Sequence, residues 1–591
     1  MFSRKPRQRI SGYLPMLDQV FMYQVVTKAG IFSWIFVLRF LFRMLLRSTG
    51  RVAISSGDFK FLFTSWQGPM ILIIGLFSLY IYVALDLYTK IILSGKLLRG
   101  QKDSVLQNLK GGFISLKKFL NPSGIGIIIY IAFIAPLVGV GFSISATNGL
   151  YIPSFITGVI NNSRIYAPIY YAFMTAFAVF GISHLFILHG ILLDDKTVKE
   201  AGRQSREIMK AHWKDYFLKT VLYFTKLGLL TVLVTFLVIV IPLTIILSLE
   251  EASMISVQTS RFLMILISLI FLCCTFWIGL LATPVYMLEV TRRYYTYKTG
   301  EEVRYPVDKD HRKLLPRALR LAIVTAGILL LAYGMTASFD MIFPAATATK
   351  VIAHRAGGNE APENTIAGIN AAVEAGAYGA EIDIQRTADG CYVVNHDNTF
   401  KRVAGVNKAP SQMTLEEIKK LKVSGEDVAT FEEMLDACNG RLILFTELKG
   451  KTADEQMAED AVRIIKEHGM EDEAVIISLK YNLIDYIETH YPEMQTGYLA
   501  FASFGNTAAL NCDYLALEEE LATSENIRSI HENGKKVIIW TINSRDSQKR
   551  FLNSNADAII TDEVSQAEKV IRGLEERTDL ERITDALLEW L

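Results

Sequence analysis

Two rhythms of apolar residues divide the chain near residue 345. Before it, apolar runs of about 20 residues recur, each long enough to cross a hydrocarbon core roughly 30 Å thick. The clearest lie at 70–92, 124–144, 166–193, 227–249, 262–288 and 318–340. After it, short β-branched runs alternate with helical patterns: VIAH from 351, AEIDI from 380, LILFTEL from 442, AVIISL from 474, TGYLAFA from 496, CDYLAL from 512, KVIIWTIN from 536 and ADAIIT from 556. Eight strand-helix repeats predict a (β/α)8 TIM barrel rather than a doubly wound sheet. YVVNHD is expected as a strand of a short extra pair inserted after the second barrel strand. The pattern thus predicts an all-α polytopic membrane domain over 1–340, with about six or seven spans, and a linker at 341–349. The barrel follows over 350–575, then a C-terminal amphipathic helix over 576–591.

The segment 20–46 decides between six spans and seven. It carries Lys28, Arg39 and Arg43, so an interfacial amphipathic helix competes with a span. The connections 94–118, 194–226 and 289–317 are rich in Lys and Arg, whereas 145–165 and 250–261 hold one arginine each, Arg164 and Arg261. Basic connections stay cytoplasmic. By parity the barrel and residues 47–69 then lie outside, which a spanning 20–46 segment satisfies with a basic N-terminus inside. No compact signal-peptide pattern follows MFSRKPRQR. Pro136, Pro242 and Pro284 are expected to kink their helices. Asp86, His184 and His189 fall in apolar runs, where ionisable groups are functional suspects; they trace no ion pathway, and pairing with neighbouring helices is the simpler expectation.

Composition sharpens this division. Of 591 residues, 51% are hydrophobic and 20% charged, an excess concentrated before residue 345. A net charge of +1 without a basic stripe on the barrel excludes a nucleic-acid partner. Five cysteines, Cys273, Cys274, Cys391, Cys438 and Cys512, show no metal spacing and, being odd in number, no complete disulfide framework. Nothing in the sequence addresses oligomeric state.

Chemistry gathers where the barrel begins. VIAHRAGGNEAPENTIAGINAAVEAGAYGAEIDIQRTADGCYVVNHD collects two histidines, an arginine and several carboxylates, groups that a core does not bury without partners or a metal. In a TIM barrel the chemistry sits at the C-terminal ends of the strands. His354 and Arg355 close the first strand, Glu381 and Asp383 lie on the second, and Glu447 with Lys449 ends the third. Because side chains alternate, Glu381 and Asp383 share a side, as do Glu447 and Lys449. Three carboxylates without thiols suit a hard divalent cation, Mg²⁺ or Ca²⁺, rather than zinc.

HRAGG with APENT, then GAEIDIQRTADGCYVVNHD, TELK, WTIN and ITDE, in this order over roughly 350–572, resemble the glycerophosphodiester phosphodiesterase family. The polytopic half resembles the membrane domain that some bacterial members carry. The resemblance implies His354 and His396 as the acid/base pair and Arg355 as a phosphate ligand. It implies Glu381, Asp383 and Glu447 as metal ligands, with Lys449 as a second positive charge for the phosphate. Glu363 and Asn364 would line the site, and Trp540 would wall the glycerol or leaving-group side. In this family the nucleophile is thought to be the neighbouring glycerol hydroxyl, giving a cyclic phosphate that water opens. Ala356 stands where a glycine often follows HR, and Arg386 where an apolar residue is frequent. Taken singly, HR at a strand end, the TADG turn and a helix-capping Asn364-Thr365 need no function.

The expected substrates are glycerophosphodiesters, lipid headgroups or teichoic-acid-type polymers, met at the outer face of the cell membrane by a multi-pass protein in the lipid bilayer. Two other readings stand beside the enzyme: a noncatalytic envelope phosphate-binding receptor, and a transporter with an attached phosphodiesterase. The tail LERITDALLEWL, apolar at Leu580, Ile583, Leu587 and Leu588, is expected to dock on the barrel, with the membrane domain as the alternative.

Overall fold

The computed structural model describes residues 6–49, 53–55, 61–101, 103–119, 121–129, 160–161, 163–304, 317–344, 349–501 and 503–590. They form two compact units, one of residues 1–38 and 70–337 and one of residues 39–69 and 338–591. Among the described residues, five helices are long and apolar enough to cross a membrane: Val20–Arg47, Gln67–Leu98, Tyr166–Leu193, Val198–Glu251 and Val257–Thr299. Ala322–Ala337 is a shorter apolar helix. Of the stretch 124–144, only residues within the helix Pro122–Ile129 are described; the rest, with Pro136, lies outside the described residues.

The basic connection expected at 194–226 is largely helical. A capping box of Thr197 and Glu200 starts a helix at Val198 that runs to Thr235, through a π turn at Phe236–Val240 and on as Ile241–Glu251. The stretch VKEAGRQSREIMKAHWK is built of strong helix formers, so nothing breaks the helix before the apolar run begins. Pro242 has no N–H to donate, and the wider π turn directly before it absorbs the missing bond. Pro284 sits within the helix Val257–Thr299. The suspect ionisable groups have partners: Asp86 pairs with Lys90 at 2.8 Å, both buried. Arg206 donates to His184 Nε2 at 2.8 Å, and His189 Nε2 lies 3.2 Å from Thr291 Oγ1.

In the second unit, eight parallel strands close a barrel: Lys350–Ala353, Gly379–Arg386, Ile443–Leu448, Ala474–Ser478, Gln495–Ala500, Tyr514–Glu518, Lys536–Trp540 and Ala558–Thr561. The first strand pairs with both the eighth and the second, which seals it. Outward residues such as Val351, Ile382, Leu444 and Ile476 pack in one apolar cluster with helix residues such as Ile369, Leu435 and Ile465. Inward residues Ile352, Phe445, Val475, Ile477, Leu499, Ala516, Ile538 and Ile560 fill the interior. Thr365, Thr430, Asp454, Thr523 and Ser544 cap the helices that follow strands, each accepting from a first-turn N–H.

Two strand pairings differ from the sequence pattern. Tyr392–Val394, expected as one strand of a short extra pair after the second barrel strand, lies antiparallel on that strand, with Ile384 opposite Val394. A hairpin of Lys422–Val423 and Glu426–Asp427 forms a pair of its own. The other pairing that the sequence did not predict sets Ala53–Ser55 antiparallel to Ser503–Gly505.

The C-terminal helix Asp579–Trp590 docks on the barrel unit. Ile583 is buried, Asp585 receives Lys549 and Arg577 at 2.9 Å, and Arg582 reaches Asp340 at 2.7 Å and the Phe343 carbonyl. Arg577 is 4% exposed and also donates to the Pro344 carbonyl. Asp585→Ala removes the carboxylate that both Lys549 and the buried Arg577 reach, a loss of up to about 3 kcal/mol in buried pairs. The barrel transition of the full chain, followed by calorimetry, is expected to shift down by several degrees, and an unshifted transition would show this anchor to be ornamental.

Candidate functional site

The site grows out of the two-residue period of the inner strands. Ile352 is followed inward by His354, Phe445 by Glu447 and Lys449, Ala516 by Glu518, Ile538 by Trp540, and Ile560 by Asp562. The interior is therefore apolar along its length and turns ionisable at the C-terminal mouth, where the strand ends open to solvent. Register fixes the metal-type cluster: Asp383 stands opposite Glu447, and Glu381 opposite Phe445.

Glu381, Asp383 and Glu447 are buried, and each offers a carboxylate oxygen within 4.8 Å of the others. Lys449 Nζ donates to Asp383 and Glu447 at 2.8 Å each. Burial, with the neighbouring carboxylates Asp383 and Glu447, pushes Glu381 well above the ordinary glutamate range. Burial likewise pushes Glu447 up to about 7 against the pull of Lys449. Asp383 goes the other way: although burial opposes it, Lys449, His396 and Asn364 hold it well below the usual range. Lys449, though buried, is raised by the three carboxylates. One ammonium among three carboxylates leaves a charge deficit of two, and the donors are all oxygen. This set fits a hard divalent cation.

The HRAGG turn wraps the same cluster. The Arg355 N–H donates to Glu381 Oε2 at 2.9 Å, and that of Asn364 to the Arg355 carbonyl at 2.7 Å. Three non-glycine residues here, Arg355, Ala356 and Asn364, adopt φ of 50°, 75° and 55°, a conformation that costs energy and collects at functional sites. Gly358 has φ 58° and no space for a Cβ against the Asp562 backbone. Asn364 does more than precede a capping Thr365: its amide donates to Asp383 Oδ2 at 2.9 Å and its carbonyl accepts the Asp383 N–H at 3.2 Å. Arg355 Nη1 lies 3.4 Å from Glu363, while its buried Nε has no partner.

Each histidine is held through Nδ1 by a carboxylate that the motifs had not singled out. His354 Nδ1 lies 2.7 Å from Asp562 Oδ1, and Asn543 donates to Asp562 Oδ2 at 2.6 Å. His396 Nδ1 lies 2.9 Å from Asp397. Arg402 clamps Asp397 and Glu363 together, giving two 2.7 Å bonds to Glu363 and one of 2.8 Å to Asp397. That clamp, with His396, holds Asp397 at about 2. Burial lowers His396 against the pull of Asp383. The signal for Asp397 was its place beside His396. Asp562 stood in ITDE, but only barrel closure joins it to a histidine 208 residues away. Asn543 closed the WTIN motif without a role attached to it, and Arg402 carried no signal.

Trp540 rests on the interior apolar cluster at the end of the seventh strand, its indole N–H donating to the Ala516 carbonyl at 2.9 Å. Glu518, buried at the end of the sixth strand, accepts the Glu520 N–H. Arg386 pairs with Asp454 outside the cluster. Burial pushes the thiols of Cys438 and Cys512 up to about 12, consistent with a packing role.

Ala356 is fully buried, and a Cβ on Gly368 would come within 3.0 Å of its methyl group. Ala356→Gly removes the left-handed penalty but loses packing and loosens the unfolded chain, so stability is expected to move by no more than about 1 kcal/mol. Ala356→Val adds bulk in a conformation β-branched residues avoid, for a loss of about 3 kcal/mol. Urea unfolding of both variants distinguishes these outcomes.

Comparison with known proteins bears on the family of the chain. Residues 354–566 match the glycerophosphoryl diester phosphodiesterase family, and residues 15–334 match the membrane domain of glycerophosphoryl diester phosphodiesterase. The glycerophosphodiester phosphodiesterase of Caldanaerobacter subterraneus subsp. tengcongensis is 30% identical over 238 residues, 38% of this chain and 98% of the relative. That of Bacillus altitudinis is 26% identical over 248 residues, again 38% of this chain and 98% of the relative. A solved phosphodiesterase of Oleispira antarctica in complex with the product sn-glycerol-3-phosphate is 25% identical, with a TM-score of 0.36, covering 38% of this chain and 99% of that one. The chain belongs to the glycerophosphodiester phosphodiesterase family, as a member that carries the family's membrane domain ahead of its barrel.

Proposed function

We propose that this phosphodiesterase cleaves glycerophosphodiesters, to a glycerol phosphate and an alcohol, in a divalent-cation-dependent reaction at the outer face of the membrane. The observation that carries the mechanism is the pair of histidines, each locked by a carboxylate on Nδ1 beside one buried acidic cluster. A carboxylate on Nδ1 keeps the proton there and leaves Nε2 as the working nitrogen. His396, whose proton affinity is depressed, begins as the base and takes the proton of the glycerol hydroxyl next to the phosphoester. That oxygen attacks phosphorus, the alcohol leaves with a proton from His354, and water then opens the cyclic phosphate. Asp562 orients His354 through Nδ1, leaving Nε2 to hand over that proton. Arg355 and Lys449 hold the phosphoryl oxygens as charge builds on them. A cation held by Glu381, Asp383 and Glu447, Mg²⁺ or Ca²⁺, would supply further positive charge against those oxygens. Glu363 and Asn364 position Arg355 and Asp383, and Trp540 walls the side to which the alcohol extends.

The basic connections at 94–118, 194–226 and 289–317 support the cytoplasmic assignment of those ends, and parity then puts the barrel outside. There the reachable diesters are lipid-derived headgroups and teichoic-acid-type polymers.

The roles of the histidines separate by leaving group. His396→Ala is expected to lose about 10²- to 10⁴-fold in kcat on both glycerophosphocholine and a p-nitrophenyl diester. His354→Ala loses as much on glycerophosphocholine but far less on the p-nitrophenyl diester, whose alcohol leaves without a proton. Equal losses on both substrates for both variants would remove this assignment.

The acidic cluster predicts a pH dependence. The folded pKa values of Glu381 and Glu447 lie above their unfolded values, so their contribution to stability is present at low pH and lost as pH rises through about 7. Chelator-treated protein is therefore expected to melt lower at pH 8 than at pH 6. Adding Mg²⁺ or Ca²⁺ raises Tm more at pH 8, where fewer protons must be displaced. A cation effect that is equal at both pH values, measured by calorimetry, would contradict this account of the cluster.

A further inference from the structure

The antiparallel pairing of Ala53–Ser55 with Ser503–Gly505 belongs to neither the barrel sheet nor the helices. Ala53 stands opposite Gly505, Ile54 opposite Phe504 and Ser55 opposite Ser503. The strand also lies against the 3₁₀ turn Thr507–Ala509. In sequence it comes from the connection between two helices long and apolar enough to span, Val20–Arg47 and Gln67–Leu98. Its partner is the loop between the fifth and sixth barrel strands, which leaves the fifth strand at Ala500 and so lies at the C-terminal mouth.

We infer that Ala53–Ser55 is a wall of the substrate mouth, selecting glycerophosphodiesters whose leaving alcohol is embedded in a bilayer. This inference rests on the proposed function. The groups that handle the phosphate come from strands one, two, three and eight: His354 and Arg355, Glu381 and Asp383, Glu447 and Lys449, and Asp562. The remainder of the substrate must therefore extend across the mouth toward strands four to seven, the side on which Ala53–Ser55 adds its backbone. Both ends of this wall run into candidate spans. At about 3.3 Å per residue, the chain between Arg47 and Ala53 reaches no more than roughly 20 Å. On the other side, the exposed Phe63 and Trp66 stand immediately before Gln67, where aromatic side chains mark a membrane interface. A mouth walled in this way is held near the surface where lipid headgroups lie.

The same pairing constrains topology. Two backbones that share a ladder occupy one aqueous compartment, so Ala53–Ser55 and the barrel lie on the same side of the membrane. The parity count from the sequence, which puts 47–69 and the barrel on one side, meets this requirement without having used it.

The test uses the full chain in vesicles of phosphatidylglycerol, with glycerophosphocholine as the soluble substrate. In Ile54→Cys/Phe504→Cys, residues directly opposite in the ladder are within disulfide reach. Mild oxidation is expected to link them in most chains, seen as one cross-linked peptide by mass spectrometry, while the ratio of kcat/KM for the two substrates stays at the parent value. Ala53→Pro/Ser55→Pro, which sets two prolines in a strand of three residues, is expected to lower that ratio at least tenfold against phosphatidylglycerol, with kcat on glycerophosphocholine within twofold of the parent. Absence of the cross-link, or a cross-link together with an unchanged ratio in the proline variant, overturns the inference. If the parent turned over neither substrate, the proposed function would fail as well, and the wall's selectivity with it. The cross-link would then report on the strand alone.

Discussion

Three carboxylates buried within 4.8 Å of one another are the feature to which the rest of the barrel mouth conforms. At this separation and an effective dielectric constant of about 20, each charged pair repels by roughly 3 kcal/mol, before the cost of burial. No fold tolerates that without compensation, and the compensation is visible on every side. Lys449 bridges two of the three, the Arg355 N–H serves Glu381, and both polar atoms of the Asn364 amide serve Asp383. The strained turn at Arg355 and Ala356 exists to bring those backbone donors in. Even so, Glu381 and Glu447 retain proton affinities far above normal, so the protein alone does not balance the charge.

The barrel makes this concentration of charge affordable by confining it to one end. Parallel pairing sets Asp383 beside Glu447, and the period of two carries each inward apolar residue into an ionisable one at the strand end. Below the site the interior is Ile352, Phe445, Val475 and Ile538, all apolar and buried, so the polar residues gather at the mouth. The outward cluster then locks the strands under their helices.

Much of this was legible in the sequence because it follows from local periodicity. Eight strands were visible as β-branched runs, and Glu381, Asp383, Glu447 and Lys449 sat on them at even spacing. What was not legible required closure in three dimensions. Asp562 reaches His354 only because the last strand returns to the first, and Arg402 reaches Glu363 only across an insertion whose geometry no short pattern encodes. The pairing of Ala53–Ser55 failed to show for a different reason: a strand of three residues has too few positions to display a period. The basic connection at 194–226 misled because charge marks a compartment, not a loop; its residues favour helix and continue the span without a break.

The rim charges tie the two halves of the chemistry together. Glu363 lies between Arg355 and Arg402, and Arg402 also grips Asp397, which holds His396. Asp397, bonded to His396, and Glu363, bonded to Arg355, thus share one guanidinium, itself half exposed. A pair on an open surface would contribute little. Here the geometry is bidentate and part of a network, in which one charge fixes several others and polarisation strengthens the whole. Glu363 is the group that decides the outcome: burial raises its proton affinity, but the two arginines and His396 together lower it by more, and the net shift is down. Arg355 therefore faces an ionised partner in Glu363, while its buried Nε keeps a donor that no hydrogen bond uses.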